Sequence, residues 1–180
     1  MIFHPLPLAG AYRIALSRQS DERGFFARRF CQEAFARGGL ATHFVQRSVS
    51  FNKRNGTLRG PHYQVAPAEE TKIVRCTRGA VFDVIVDIRP DSPTHGRWHS
   101  EELTADNHLM LYVPSGFAHG FQSLHDSTEL DYEITAPYNP AATSGIHYAD
   151  PTLGIPWPLP NPIVSDRDKG LPSLNAALSP

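Results

Sequence analysis

The sequence predicts an all-β protein, a sandwich or barrel of short strands with one short helix. Three observations predict it. From Phe44 to Thr135 the apolar residues either alternate with polar ones or form short continuous runs, the patterns of half-buried and fully buried strands. Turn residues break those runs at intervals of roughly 8–12 residues, giving about nine or ten strands, which favours a sandwich or barrel over strand–helix–strand units. Sixteen prolines and 13 glycines are spread along the chain, which suits many turns.

Taken in order, residues 11–17 alternate loosely and predict a first strand. Asp21-Glu22-Arg23-Gly24 reads as a turn, and Gly24 to Phe30 has the aromatic content of a strand. Residues 31–37 predict a short helix stopped by Gly38-Gly39. From Phe44 to Asn52 one face carries Phe44, Gln46, Ser48, Ser50 and Asn52, amide- and hydroxyl-rich; it suits either a polar pocket or solvent. Asn55-Gly56 is a hairpin signal, because both central residues of that turn tolerate positive φ. Residues 57–65 follow as a strand, then Thr71 to Cys76, ended by Arg78-Gly79. Ala80 to Ile88 is nearly continuous in apolar residues, which predicts a central position, with Asp83 and Asp87 on one face. Residues 89–96 read as a loop, 97–103 and 108–113 as strands. Pro114-Ser115-Gly116 turns into Phe117 to Leu124, and Thr128 to Thr135 is the last strand. Eight prolines between Ala136 and Pro172 predict an ordered-loop tail. No internal repeat or low-complexity linker marks a boundary, so one domain over 1–180 is expected.

Composition limits the function classes. A chain of 180 residues, 41% hydrophobic, is long enough to bury a substantial core. A net charge of −1, from 17 basic and 18 acidic residues without a long run of one sign, points to neither nucleic acid nor anionic membrane. Cys31 and Cys76 fit no metal or redox spacing and read as free thiols in a reducing compartment. No signal peptide and no span of about 18 apolar residues is visible. A cytoplasmic protein is the expectation.

The chemistry gathers around Leu58-Arg59-Gly60-Pro61-His62-Tyr63-Gln64. As a regular strand this would set Arg59 and His62 on opposite faces and His62 and Gln64 on one. Gly60 and Pro61 argue for a bulge or edge that would re-aim His62. The bland alternative is a surface hairpin with an incidental histidine. Lys72 opens an otherwise apolar strand, either as an edge lysine that limits aggregation or as a cation in a site. His119, in Pro114-Ser115-Gly116-Phe117-Ala118-His119-Gly120-Phe121, is structural or catalytic; Tyr132 and Tyr138 are core, interface or site residues. The spacing of Pro114, Gly116 and His119 is similar to the second half of the cupin metal motif. The first half wants His-x-His, and the chain reads His62-Tyr63-Gln64, an amide where an imidazole is needed. No metal is therefore expected.

These pieces, in order and spacing, resemble the dTDP-4-dehydrorhamnose 3,5-epimerase family, the RmlC-type cupins. The resemblance rests on Asp21 to Phe25, Phe44-Val45-Gln46, Leu58 to Gln64, Lys72-Ile73-Val74, Asp83 to Arg89, Ser92-Pro93-Thr94, Pro114 to Phe121, Tyr132, Asp150-Pro151 and Gly154 to Pro158. It implies a cupin jelly-roll β-barrel with short peripheral helices, a homodimer with exchanged N-terminal strands, and no cofactor. It also implies an epimerase acting on a nucleotide-linked 4-keto-6-deoxyhexose. His62 would be the base, oriented by Asp168; Lys72 would stabilise the enolate and Tyr132 would return the proton. Arg23, Arg59 and Arg167 would hold the diphosphate, Gln46 and His119 would line the sugar and nucleotide, and Tyr138 would stack on the base. The family usually has Leu in place of Pro61, Glu in place of Arg28 and Thr143, Asp-Asn in place of Arg47-Ser48, and Lys in place of Arg167. These departures fall near nucleotide and sugar. They leave open the nucleobase, the sugar, and whether one carbon or both are inverted. A single-position epimerase, a metal-dependent cupin and a non-catalytic sugar-nucleotide-binding cupin are the rival readings.

Overall fold

Alternation decides which face of each strand is buried, and the computed structural model, which describes residues 1–178, stacks two antiparallel sheets on the faces so chosen. The elements run β1 (Ile2–Pro5), β2 (Tyr12–Ala15), β3 (Gln19–Asp21), β4 (Gly24–Phe26), α1 (Gln32–Arg37), β5 (Gln46–Asn52), β6 (Leu58–Gln64), β7 (Lys72–Arg78), β8 (Ala80–Asp87), β9 (Trp98–Thr104), β10 (Met110–Val113), β11 (Phe117–Ser123), β12 (Thr128–Ile134), β13 (Thr143–Gly145), α2 (Asp166–Lys169) and α3 (Leu174–Ala177). One sheet has the order β1-β2-β10-β7-β12-β5, the other β13-β6-β11-β8-β9; β3 and β4 form a separate hairpin. From β5 to β13 the chain crosses between the two large sheets at every connection except the β8–β9 hairpin. This is the expected jelly-roll barrel.

The crossing corrects one expectation. Asn55-Gly56 does turn the chain, with Gly56 at φ +71°. Yet β5 pairs with β12 and β6 with β11 and β13, so the turn joins two sheets and not two paired strands. Gly79 makes a similar corner between β7 and β8. Its φ is +76°, and a Cβ there would collide with Thr128.

Three apolar layers hold the sheets. Between them, Val74, Cys76, Leu111 and Leu130 meet Val81, Ile85, Leu103, Phe117 and Phe121. Outside the five-stranded sheet, Val84, Val86 and Ala118 pack under Ile146, Leu153 and Leu174 of the proline-rich tail. Outside the six-stranded sheet, Ile14, Ile73, Met110 and Tyr112 pack under Phe35 of α1 and Leu40. β8 is therefore buried on both faces, which is why its sequence is nearly continuous in apolar residues.

The tail is more structured than an ordered loop. It carries β13, α2 and α3. Asp150 accepts from the backbone N–H groups of Thr152, Leu153 and Leu174, and Trp98 Nε1 donates to the Leu153 carbonyl at 2.7 Å. Ser165 caps α2 by accepting from Asp168 N–H. At the other end, β1 and β3 were not expected from sequence, and the strand expected over 24–30 stops at Phe26. Cys31 and Cys76 are free thiols; burial pushes the Cys76 thiol up to about 11.

Candidate active site

Between the sheets, toward one end of the core, lies a cavity of about 330 Å³. Its walls come from both sheets. β6 and β11 supply Arg59, His62, His119 and Phe121; β5, β7 and β12 supply Gln46, Ser48, Ser50, Lys72, Tyr132 and Ile134. The amide- and hydroxyl-rich face of β5 is thus a pocket wall.

The bulge in β6 builds the first half. His62 is opposite His119 and Arg59 opposite Phe121, so three steps on β6 match two on β11. One extra residue at Gly60-Pro61 puts Arg59 and His62 on the same face, where plain alternation would separate them. Gly60 takes φ +81°, and a Cβ there would sit 2.7 Å from the His119 carbonyl oxygen. Only glycine fits this close approach.

Asp168, from α2, closes the bulge. Its Oδ2 accepts from the Gly60 N–H at 3.0 Å and its Oδ1 faces His62 Nε2 at 2.8 Å. Burial works against the carboxylate, but the hydrogen bonds from His62 and Gly60 hold its pKa below the usual value. An ionised Asp168 accepts from Nε2–H, which leaves Nδ1 of His62 as the basic nitrogen.

The facing wall holds a phenol and a cation. Burial foremost, together with the nearby Asp83 carboxylate, pushes Tyr132 well above the ordinary phenol range, so it stays protonated. His119 packs edge-on against its ring, with centroids 5.9 Å apart. His119 in turn sets Nε2 within 2.9 Å of Asp83, which is fully buried; burial raises the Asp83 pKa and His119 pulls it back. Lys72, also buried, pairs with Glu70 Oε1 at 2.8 Å. Arg59 donates through Nε to Asn52 Oδ1 at 2.9 Å, leaving its terminal nitrogens for a ligand. At the mouth, the Tyr138 N–H donates to Gln46 Oε1 at 2.7 Å, and the residue is 57% exposed.

Of the ten residues singled out from sequence, His62, Lys72, Tyr132, Arg59, Gln46, His119 and Tyr138 line the cavity and Asp168 holds His62. Two do not join them. Arg23 lies on the exposed β3–β4 turn in an ion pair with Asp21 at 2.6 Å, because that hairpin stands apart from both sheets. Arg167 is exposed on α2; the turn of helix that buries Asp168 points its neighbour outward. Sequence reasoning missed Glu70 as the partner of Lys72 and Asp83 as the partner of His119. Asp83 had a signal, a carboxylate inside an apolar strand; Glu70 had none. Among the described residues no three His, Cys, Asp or Glu side chains cluster as a metal site.

Comparisons with known proteins identify the family of the chain. The family model of dTDP-4-dehydrorhamnose 3,5-epimerase matches residues 5–176. A dTDP-4-dehydrorhamnose 3,5-epimerase from Sinorhizobium fredii is 41% identical over 97% of this chain and 90% of its own. The crystal structure of an epimerase from Legionella pneumophila in complex with dTDP-4-keto-L-rhamnose superimposes with a TM-score of 0.90, at 36% identity over 99% of this chain and 97% of that one. A 3′-monoepimerase from Streptomyces bikiniensis, in complex with dTDP-quinovose, has a TM-score of 0.89 at 38% identity over 97% of this chain and 88% of that one.

Proposed function

The chain belongs to the dTDP-4-dehydrorhamnose 3,5-epimerase family, and we propose that its cavity inverts the two carbons flanking the ketone of a dTDP-linked 4-keto-6-deoxyhexose. It is a carbohydrate epimerase. The observation that carries the assignment of roles is the division of labour between the walls. His62, held by Asp168, stands on one sheet and Tyr132 on the other.

A hydrogen α to a ketone is acidic only because its electron pair can move onto the carbonyl oxygen. His62 Nδ1 takes the proton from one face, the C–H pair becomes the enolate, and the charge settles on oxygen. Asp168 stabilises the imidazolium that results. Lys72, itself buried, donates to the enolate oxygen where such a bond is worth more than in bulk water. Tyr132 then gives its proton to carbon from the opposite face, and the configuration is inverted. The same sequence serves C5 and C3, because both flank the same ketone. Arg59 suits a bidentate grip on the diphosphate, and Tyr138 at the mouth suits stacking on the base.

Arg23 finds a role only in an assembly. In a homodimer with exchanged N-terminal strands, the β3–β4 hairpin of one protomer would reach the other's cavity. The exposed apolar rings on that hairpin, Phe26 above all at 72%, are surface a partner would cover. Arg167 would approach the diphosphate from α2. We read 1–180 as one domain working in the cytoplasm, which suits two free thiols; no helix among the described residues is long and apolar enough to cross a membrane.

A single-position epimerase is the second reading, favoured by the likeness to the 3′-monoepimerase. Incubation with dTDP-4-keto-6-deoxyglucose, followed by NMR of the product, separates the two. Inversion at both carbons supports the first, inversion at one supports the second, and an inert protein overturns both.

A further inference from the structure

Gln64 stands where a metal-binding cupin would carry its second histidine, and the reaction above gives it nothing to do. Its surroundings do. Gln64 is buried, and its amide is a junction of four groups. The two hydrogens of Nε2 are shared among three acceptors, the Ala68 carbonyl at 2.8 Å, Glu70 Oε2 at 3.2 Å and the Pro137 carbonyl at 3.3 Å. Oε1 accepts from the Asn139 N–H at 2.6 Å. The other oxygen of Glu70 holds Lys72 Nζ at 2.8 Å, in a pair whose side chains are 10% and 12% exposed. A continuous chain of hydrogen bonds thus runs from the Lys72 cation in the cavity wall to the 137–139 segment that carries Tyr138.

We propose that Glu70 and Gln64 are positioning residues: Glu70 aims the Lys72 ammonium at the enolate oxygen, and Gln64 fixes Glu70 and ties it to the Tyr138 loop. A lysine has four rotatable bonds and no planar fork to orient it. Left alone in a cavity, its ammonium would spread over several positions, and electrostatic stabilisation of an enolate depends on where the donor already is. Glu70 occupies one of its three donors and leaves two for the ligand. Gln64 can accept from the loop with its oxygen while donating to Glu70 with its nitrogen. An imidazole at that position could not satisfy all four groups.

The inference rests on the epimerase reading, so wild-type turnover is measured first; an inert wild type sinks that reading. Three variants then test this one, each with kcat, KM and the affinity for dTDP by calorimetry. Glu70→Met keeps the length and removes the acceptor. It should lower kcat by about 10- to 100-fold, with dTDP affinity within about twofold of wild type. Glu70→Gln keeps an oxygen acceptor for Lys72 but turns its NH₂ toward Gln64, and should recover kcat in part, to within about tenfold of wild type. Gln64→Leu, cut off from both ends, should lower kcat and also weaken dTDP by about threefold or more. Equal kcat in the two Glu70 variants, or loss of dTDP affinity in Glu70→Met matching its loss of kcat, would overturn the role of Glu70. Unchanged dTDP binding in Gln64→Leu would overturn the link to the loop. Should Glu70→Met fail to fold, Glu70→Gln decides, because the inference does not survive a tenfold or greater loss there.

Discussion

Replacing Asp168 with Asn tests whether the carboxylate sets the tautomer of His62 or merely fills space. Asp168 accepts from two donors at once, the Gly60 N–H at 3.0 Å and His62 Nε2 at 2.8 Å. An amide of the same shape has one oxygen and one NH₂. The Gly60 amide is a fixed donor, and leaving it buried and unpaired costs about 1–3 kcal/mol. The imidazole can move its proton from Nε2 to Nδ1 for much less. The new amide should therefore turn its oxygen to Gly60 and its NH₂ to His62. That forces Nε2 to accept and puts the proton on Nδ1, the nitrogen that must be free to act as base. The fold should survive, since Gly60 keeps its partner. The rate should not, by about 10²–10⁴-fold, the range for a lost or mis-tautomerised base. The assay is hydrogen–deuterium exchange at C3 and C5 of dTDP-4-keto-6-deoxyglucose in deuterated water, followed by NMR, with circular dichroism to check the fold. Exchange within tenfold of wild type in a folded Asp168→Asn protein would refute the tautomer argument.

Tyr132→Phe removes a hydroxyl and little else, so it should still exchange α protons through His62 but return them mostly to the original face; NMR showing inversion of both carbons at a near-normal rate would assign the acid to another group. Asp87 gives the fold an acid limit. Burial opposes its ionisation, yet bonds from Arg89, Ser92 and Thr94 bring its pKa down to about 2. A carboxylate lowered in the folded state stabilises it above the unfolded pKa of about 4, and that contribution is lost as pH falls toward the folded value. Urea midpoints measured from pH 5 to pH 2 should therefore fall less steeply for Asp87→Asn than for wild type, and parallel curves would show that Asp87 contributes nothing there. Sedimentation should give a mass near twice 20.0 kDa, and an active monomer at micromolar concentration would remove the role proposed for Arg23.

Much of this site is legible because strand alternation and motif spacing are local. The polar face of β5, the long apolar run of β8 and the place of Lys72 at the start of β7 all follow from period two. What fails is whatever depends on a change of period or on distant chain. The bulge at Gly60-Pro61 reverses the facing of Arg59, and the residues flag a bulge without saying which way it turns. Asn55-Gly56 announces a tight turn correctly, but local chemistry does not state whether its two strands share a sheet. The partners Glu70 of Lys72 and Asp83 of His119 are settled by tertiary packing alone. β13, α2 and α3 hide among prolines because their order comes from caps and from side chains such as Asp150 that bond across the tail.

The central claim is that His62 removes the α proton in this cavity, and deuterium exchange by His62→Asn measures that step directly. Wild type should exchange the hydrogens at C3 and C5 of dTDP-4-keto-6-deoxyglucose, and the folded variant should exchange neither above the rate without enzyme. Near-normal exchange in the variant would contradict the account, whatever the fate of Tyr132, Lys72 or Glu70.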